Sequence, residues 1–150
     1  MSIDTITNYK AISETLASSG QPDEMQFREI AAAGFDVVIN LAMPNSENAL
    51  PDEGYIVTAR GMAYVHLPVP FESPTAGHLR AFIALMKAFE GRKCWVHCAV
   101  NYRVSAFLYQ YYRLVHGVRD EDARKVMIAE WQPDRVWQDF MALEEKDLGS

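Results

Sequence analysis

Cys98 and Arg103 are the two residues of this sequence whose types and spacing could act on an anion, because they stand at the two ends of a short turn. A thiolate is a strong nucleophile, and a helix amino terminus, loop amides and a nearby cation all favour the thiolate form. The planar fork of an arginine can hold two phosphoryl oxygens, which a lysine does less specifically. The pattern predicts an oxyanion site in which Cys98 attacks and Arg103 binds.

A strand before this turn and a helix after it must position the two side chains. The apolar run at residues 94–97 predicts the strand, and the apolar segment at residues 104–115 predicts a central helix. We call residues 98–103 between them the cysteine loop. The loop then lies at the carboxyl end of a strand, where open α/β sheets bind their ligands, and the amides that begin the helix point at the anion.

Apolar runs alternate with helical patterns along the rest of the chain, which is typical of consecutive strand-helix units. Strands are predicted near residues 15–18, at 37–41, at 64–69 and at 94–97. Helices are predicted from Pro22 to Gly34, in a short piece that ends near Gly61, after the cap residue Thr75, and at residues 104–115, 121–130 and 133–147. We therefore expect an α/β fold in a single domain over residues 1–150, with a small, mainly parallel sheet of four or five strands flanked by helices.

Composition excludes several classes of function. The formal net charge is -6 and the pI is near 5.1, and no cluster of Lys and Arg suggests a nucleic acid or an anionic membrane as partner. The absence of a signal-peptide pattern and of a run of about 18 apolar residues predicts a soluble, cytoplasmic protein. No disulfide is expected, because Cys94 and Cys98 would lie roughly 13 Å apart along a strand. Cys94 is expected to be a core residue.

The sequence resembles the cysteine-dependent protein tyrosine and dual-specificity phosphatase superfamily over most of its length. The resemblance is carried by the pair His97-Cys98, the preceding strand KCWVH, and the upstream segments SSGQP and GFDVVINL. The signature of the superfamily is His-Cys, five residues, Arg, then Ser or Thr. Within it, the chain is most similar to bacterial phosphatases related to the amino-terminal domain of beta-lactamase hydrolase-like proteins, in which four residues separate Cys and Arg.

This resemblance implies a phosphoric-monoester hydrolase with a phosphocysteine intermediate at Cys98. The implied reaction needs no metal or organic cofactor, and the histidines of the chain show no metal-ligand spacing. The implied partners are a phosphorylated protein or a small phosphate ester, and inorganic phosphate or a similar oxyanion. The sequence indicates neither the substrate nor the oligomeric state. The residues expected to bind phosphate beside Arg103 are Ala99, Val100, Asn101, Tyr102 and Val104.

Two residues next to the cysteine loop are expected to support it. His97 points away from Cys98 on an extended strand, so we expect it to order the loop by hydrogen bonding and not to take a proton. Ser105 is expected to donate a hydrogen bond to the thiolate and so help it leave. Tyr102, inside the loop, is a candidate for one wall of the pocket.

A phosphate ester also needs an acid that protonates its leaving group, which is typically worth about 10² to 10⁴ in rate. In the resembled superfamily this acid is an Asp on the loop that precedes the crossover helix. The corresponding loop here is residues 69–74, and its one acidic residue is Glu72. Glu72 is therefore the candidate general acid, with a solvated loop side chain as the alternative interpretation. Asp52 and Glu53, after the second strand, are reserve candidates.

The cysteine loop departs from the signature in two ways. Its gap is four residues, and Asn101 stands where a glycine is usual, although Asn is the next most tolerant residue of a positive φ. Because rhodanese-type sulfurtransferases also have a four-residue gap, a persulfide on Cys98 is the second hypothesis. A catalytically weak oxyanion-binding module is the third. The alternative to all three is that Cys98 is a buried small side chain and Arg103 a solvated residue at a helix start.

Overall fold

The computed structural model describes residues 2–149 and contains five short strands in one sheet. No helix in this part of the chain has both the length and the apolar character needed to cross a membrane. The strands are β1 Lys10–Ser13, β2 Leu16–Ser19, β3 Val37–Asn40, β4 Ala63–His66 and β5 Cys94–His97. The α-helices are α1 Glu24–Ala32, α2 Glu53–Thr58, α3 Ala76–Ala88, α4 Tyr102–Leu114, α5 Asp120–Ala123 and α6 Arg135–Met141, with 3-10 turns at Ile3–Thr5, Arg124–Val126 and Glu145–Leu148.

The spatial order of the strands is β1-β2-β5-β3-β4, so β5 lies in the middle of the sheet. β1 pairs with β2 in the antiparallel sense, and the other neighbours are parallel. This confirms the predicted α/β class and the mainly parallel sheet, and the number of strands is five. His97 at the end of β5 is level with Ser19 of β2 and Asn40 of β3, so three strand ends meet beside Cys98.

Both faces of the sheet are covered, which explains why all residues of the central strands β3 and β5 are buried. One face carries the larger core, to which Cys94, Val96 and Cys98 contribute together with residues of α3, α4 and α6. The other face packs Trp95 against α1 and α2. Since side chains alternate along a strand, Cys98 faces α4, whereas His97 faces the opposite layer, where its ring contacts Phe27.

Two predicted helix starts are confirmed by their caps. Asp23 accepts a hydrogen bond from the Gln26 amide at the start of α1, and Thr75 accepts one from the His78 amide at the start of α3. α1 ends before Gly34, whose φ of 94° lies in the left-handed region that favours glycine. Local sequence signals therefore determine where these elements begin and end.

The predicted lengths of the last two helices were wrong. Side chains of α4 form hydrogen bonds with backbone groups at the positions where these helices would have continued. The amide of Ile128 donates to Ser105 Oγ at 3.0 Å, which ends the helical course after the turn Arg124–Val126. Gln110 Nε2 donates to the carbonyl of Phe140 at 2.7 Å near the end of α6. The third strand is also shorter than predicted and ends at His66. β1 was not predicted.

Candidate active site

The cysteine loop joins the central strand to a helix whose first two turns are almost entirely buried. Cys98 follows β5 directly and its side chain has no solvent exposure. Arg103 is the second residue of α4 and is 7% exposed. The interpretation of Arg103 as a solvated residue is therefore wrong, since the guanidinium belongs to the protein interior. Both cysteines of the chain are free thiols.

All four carbonyl groups of residues 98–101 are turned away from the concave side of the loop by hydrogen bonds to surrounding groups. A trans peptide unit points its N–H opposite to its C=O, so the N–H groups of residues 99–102 face the other way. The loop therefore presents a set of donors to the space above Cys98. The groups that hold the carbonyls are, in chain order, His97 Nδ1 at 3.1 Å, the Gln21 amide at 3.0 Å, Asn8 Nδ2 at 2.8 Å and Ser105 Oγ at 2.7 Å.

The amides of residues 99–104 make no hydrogen bond to any acceptor within residues 2–149. The first amides of a helix have no intrahelical partner, and here they continue the series that begins in the loop. Consecutive free N–H groups at the amino terminus of a helix form an anion-binding concavity. The backbone thus has the donor arrangement that an oxyanion over Cys98 requires.

Asn101 explains how the loop turns without the usual glycine. Its φ is 70°, the left-handed conformation that Asn tolerates better than most residues. The side-chain Nδ2 donates to the Asn8 carbonyl at 2.8 Å and to Ser18 Oγ at 3.1 Å. Asn8 in turn binds the Val100 carbonyl, so two asparagines tie the amino-terminal segment to the loop.

A close approach of Gly20 supports the loop from the end of β2. A Cβ at this position would lie 2.6 Å from the carbonyl oxygen of Ala99, so no larger residue fits without a shift of the backbone. The Gln21 amide, one residue later, is the group that binds the same oxygen. The segment SSGQP is therefore part of the candidate site, in contact with the cysteine loop.

Arg103 is a buried cation without a carboxylate partner among residues 2–149. Its Nε donates to the Val69 carbonyl at 2.7 Å, and its guanidinium carbon lies 5.3 Å from the centre of the Phe71 ring. These contacts fix the plane of the guanidinium and leave its terminal nitrogens as donors. Because an unpaired buried charge is costly, this arrangement favours an anionic ligand.

His97 forms a buried ion pair with Glu53 directly beneath the loop. Its Nε2 lies 2.6 Å from Glu53 Oε2 and its Nδ1 lies 3.1 Å from the Cys98 carbonyl oxygen. A carboxylate and a carbonyl can only accept, so both ring nitrogens must donate, and these partners assign His97 as an imidazolium. Burial by itself raises the pKa of Glu53, but the hydrogen bond and charge of His97 and a hydrogen bond from Gln21 hold this pKa below its usual value.

The three candidate acids lie in different environments. Glu53 is 3% exposed, ionised and bound to His97, so it has no proton to give to a leaving group. Asp52 is exposed at the cap position of α2, where its side chain binds no backbone amide. Glu72 is exposed, makes no side-chain hydrogen bond within residues 2–149, and follows Phe71, the residue against the Arg103 guanidinium.

Two other predicted residues have contacts that change or define their role. The Ser105 hydroxyl donates to the Asn101 carbonyl and accepts from the Ile128 amide, so its single proton is not directed to the Cys98 thiol as expected. The Tyr102 ring stacks on Trp131 with ring centres 5.0 Å apart and planes 5° apart. Both rings are half-buried, and they form an aromatic wall beside the helix start.

Four contributors to the site were not predicted from the sequence. They are Asn8, Gln21, Asn48 and the ion-pair role of Glu53; Asn48 Nδ2 lies 3.3 Å from the Ala99 carbonyl. The segment SSGQP already contained Gln21, but nothing in the sequence pairs position 53 with position 97. Within residues 2–149, no group of three or more His, Cys, Asp or Glu side chains is arranged to hold a metal ion.

Known proteins resemble this chain in both sequence and fold. The beta-lactamase hydrolase-like protein of Xylella fastidiosa strain Temecula1 is 32% identical over 114 residues, which are 74% of this chain and 26% of the relative. The chain thus spans about a quarter of the length of that curated relative. A DUF442 protein from Shewanella putrefaciens CN-32 has a crystal structure with 37% identity and a TM-score of 0.83, covering 93% of this chain and 91% of that chain.

The fold extends to more distant proteins. The crystal structure of P. aeruginosa TpbA in complex with pTyr has a TM-score of 0.74 over 94% of this chain and 86% of its own, at 16% identity, which shows the fold alone. The family model for the phosphatase-like domain of beta-lactamase hydrolase-like proteins matches residues 8–109, from Asn8 beneath the loop to the middle of α4. The chain therefore belongs to this family of phosphatase-like domains, as its resemblance to the tyrosine phosphatase superfamily predicted.

Proposed function

We propose that this protein is a cysteine-dependent phosphoric-monoester hydrolase that acts through a phosphocysteine at Cys98. The observation that carries the proposal is the cysteine loop, in which six consecutive amides adjoin the buried Arg103, and within residues 2–149 the amides have no acceptor and Arg103 has no carboxylate partner. Charge that develops on the phosphoryl oxygens in the transition state would be stabilised by these donors. Membership of the phosphatase-like family supports the same reaction class.

The reaction has two displacement steps. The Cys98 thiolate attacks phosphorus, the P–O bond to the leaving group breaks, and Glu72 gives its proton to the departing oxygen. Water then attacks the phosphocysteine, the P–S bond breaks, and inorganic phosphate leaves as the thiolate is restored. Glu72, once deprotonated, can take the proton of this water. Arg103 holds two of the phosphoryl oxygens through both steps.

The substrate class is a phosphate ester, either a phosphorylated protein or a small molecule. The aromatic wall of Tyr102 and Trp131 and the pTyr complex of TpbA both make aryl phosphates the first compounds to test. The mechanism requires a free thiol, so we place the protein in a reducing cytoplasm.

Replacement of Cys98 is the decisive experiment. We expect Cys98→Ser to reduce hydrolysis of para-nitrophenyl phosphate by on the order of 10³-fold or more, because the nucleophile is lost. Cys94→Ser is the matched control, since Cys94 is a buried thiol at the other end of β5, and its activity should stay within a few-fold of wild type. Rapid acid quench followed by mass spectrometry should detect phosphate on Cys98.

Three outcomes of the same assays would contradict the proposal. Equal hydrolysis by wild type and Cys98→Ser would exclude Cys98 as the nucleophile. Calorimetric binding of inorganic phosphate without turnover on a broad panel of phosphate esters would instead identify an oxyanion-binding module. A persulfide on Cys98 after thiosulfate treatment, with thiocyanate formation in the presence of cyanide, would identify a sulfurtransferase.

Glu72 is tested by varying the leaving group. We expect Glu72→Gln to slow hydrolysis of an alkyl phosphate by about 10²-fold or more, because an alkoxide leaves poorly without a proton. Hydrolysis of para-nitrophenyl phosphate, with its good leaving group, should fall much less. Asp52→Asn is the comparison variant, and a larger leaving-group dependence for Asp52→Asn than for Glu72→Gln would transfer the role of acid to Asp52.

A further inference from the structure

Gln21 and Glu53 connect two separate elements to the underside of the cysteine loop. Gln21 lies between β2 and α1; its backbone amide binds the Ala99 carbonyl at 3.0 Å, and its side-chain Nε2 binds Glu53 Oε1 at 2.7 Å. Glu53, at the start of α2, uses its other oxygen to bind His97. His97 completes the path by binding the Cys98 carbonyl. One carboxylate is thus linked to two adjacent carbonyls of the loop.

We propose that Glu53 and Gln21 are positioning residues of the cysteine loop, which keep the carbonyls of Cys98 and Ala99 turned outward so that the amides of Ala99 and Val100 face the oxyanion. Neither side chain touches the reacting atoms, and both act through His97 and the loop backbone. The inference deepens the proposed function and rests on it, because it says how the oxyanion donors are held in place.

The ion pair is what makes His97 a donor toward the loop. A neutral imidazole carries one N–H, and the carboxylate at 2.6 Å takes it in preference to a carbonyl. His97 binds both acceptors only as an imidazolium, and a buried imidazolium needs the Glu53 charge. Loss of the carboxylate therefore removes the hydrogen bond to the Cys98 carbonyl as well.

A released carbonyl has a direct effect on the site. If the peptide unit between Cys98 and Ala99 turns, its oxygen moves toward the concave side and its N–H moves out. A carbonyl oxygen then faces the phosphoryl oxygens where a donor stood, which replaces an attraction by a repulsion. This effect should be larger in the transition state, where charge on the oxyanion is greatest.

The proposal differs from a purely structural role for the ion pair. A buried pair that only stabilised the fold would lower the melting temperature when broken, but the molecules that remain folded would retain their turnover number. A positioning role predicts that folded variants lose kcat and vanadate affinity together, with a smaller change in KM. It also predicts a local change in the loop backbone.

The test uses two variants and one matched control in the full chain. Glu53→Gln keeps the size of the side chain and removes its charge, and Gln21→Met removes the hydrogen bond to Glu53 while the backbone contact to Ala99 remains. Glu24→Gln is the control, because Glu24 is an exposed carboxylate on the surface of α1 that pairs with Arg28 at 3.6 Å. Circular dichroism establishes the temperature range in which each variant is folded, and ¹⁵N–¹H spectra report on the loop amides.

We expect Glu53→Gln to reduce kcat for para-nitrophenyl phosphate and the affinity for vanadate by about 10- to 100-fold each, since a hydrogen bond to a charged group is lost. Gln21→Met should show the same pattern with a smaller effect, and it remains informative if Glu53→Gln does not fold. The amide resonances of Ala99 and Val100 should shift in both variants and not in Glu24→Gln. Wild-type loop resonances and kcat in folded Glu53→Gln or Gln21→Met would overturn the proposal.

The spectra separate this proposal from the phosphatase proposal. If the wild type hydrolyses no phosphate ester but the Ala99 and Val100 resonances shift in Glu53→Gln, the proposed function fails and the positioning role stands. If the wild type is active and the variants match it in both kcat and spectra, the positioning role fails and the phosphatase proposal stands.

Discussion

The two ends of strand β5 carry the same residue types in opposite surroundings. At the carboxyl end, Cys98 adjoins the amides of a helix start and Arg103 is buried, and the described part of the chain offers neither an acceptor to those amides nor a carboxylate to Arg103. At the amino end, Cys94 has its sulfur 3.7 Å from a backbone carbonyl, and Arg92 is half-exposed and lies 3.8 Å from Asp36. Each end thus has a thiol and an arginine within a few residues.

The amino end shows how a thiol behaves when burial dominates its surroundings. Burial, the largest effect, raises the pKa of Cys94 to about 11, and the charge of Arg92 offsets only part of this. Cys94 therefore stays a neutral thiol at physiological pH and belongs to the core, as predicted. The comparison teaches that unpaired amides and an unpaired buried cation, not the residue types alone, distinguish the candidate site.

After the two cysteine replacements, replacement of each arginine by lysine should give the largest difference in kcat/KM between the two ends of β5. We expect Arg103→Lys to reduce kcat/KM by on the order of 10²- to 10³-fold. A lysine has no planar guanidinium, so it cannot be held by Val69 and Phe71 and bind two oxygens of the oxyanion at the same time. Arg92→Lys should stay within about 2-fold, since exposed ion pairs contribute little. Steady-state kinetics on an aryl phosphate provides the measurement. Comparable losses in the two variants would remove the distinction between the two ends.

An alanine substitution in the turn at each end of β5 should lower the free energy of unfolding of the protein by a different amount. Asn101→Ala should lower the free energy of unfolding by about 2 to 3 kcal/mol, because left-handed strain adds to the loss of the bonds to Asn8 and Ser18. Gly91, at the amino end, has a φ of 85° and space around an added Cβ, so Gly91→Ala should cost only the strain of about 1 kcal/mol.

Urea unfolding measures both costs. Asn101→Gly separates the contributions, because glycine accepts the φ of 70° but makes no side-chain hydrogen bond. A loss in Asn101→Gly as large as that in Asn101→Ala would assign the whole effect to the hydrogen bonds. No loss in Asn101→Gly would show that the contacts to Asn8 and Ser18 contribute nothing to stability.

The smallest expected effect concerns the acid dependence of stability. The pKa of Glu53 is lower in the folded protein than the ordinary value of 4.5, so its ionisation contributes stability that is fully present above that value and is lost as pH falls through the folded pKa. In Glu53→Gln, the difference in unfolding free energy between pH 7 and pH 3 should therefore be smaller than in wild type.

Asp36→Asn is the control for that measurement, because it removes a half-exposed carboxylate from the amino end and leaves Glu53 in place. It should retain most of the pH dependence of the wild type. Urea titrations at several pH values provide the comparison. An undiminished pH dependence in Glu53→Gln would show that the ion pair with His97 does not couple protonation to folding.

Much of the fold was predictable because its signals are local. The caps Asp23 and Thr75, the glycine that follows α1 and the apolar runs of β2 to β5 lie within a few residues of the elements they define. β1 was not predicted because Lys10–Ser13 is a four-residue edge strand with only two partly buried positions. Its formation depends on pairing with β2, which a propensity argument does not include.

The candidate site was predictable in its centre and not in its surroundings. Cys98 and Arg103 are five residues apart, so the strand, turn and helix that hold them could be inferred from one segment. Asn8, Gln21 and Glu53 come from three other segments, and their contacts with the loop depend on how those segments pack. In the sequence, Asn8 looks like an ordinary turn residue before a strand, and Gln21 and Glu53 look like ordinary capping or surface residues near helix starts.

By itself, the sequence determined the α/β order, the cysteine loop and the placement of Cys98 and Arg103 at its ends, because these follow from local periodicity and turn chemistry. Only the tertiary structure decided which way the peptide units of the loop face, that His97 contacts both the Glu53 carboxylate and the Cys98 carbonyl, and that Glu53 is buried against His97 and not an available acid. The reason is physical: such orientations and charges are set by hydrogen-bond partners far apart in the chain, here 44 residues for His97 and Glu53 and 93 for Asn101 and Asn8.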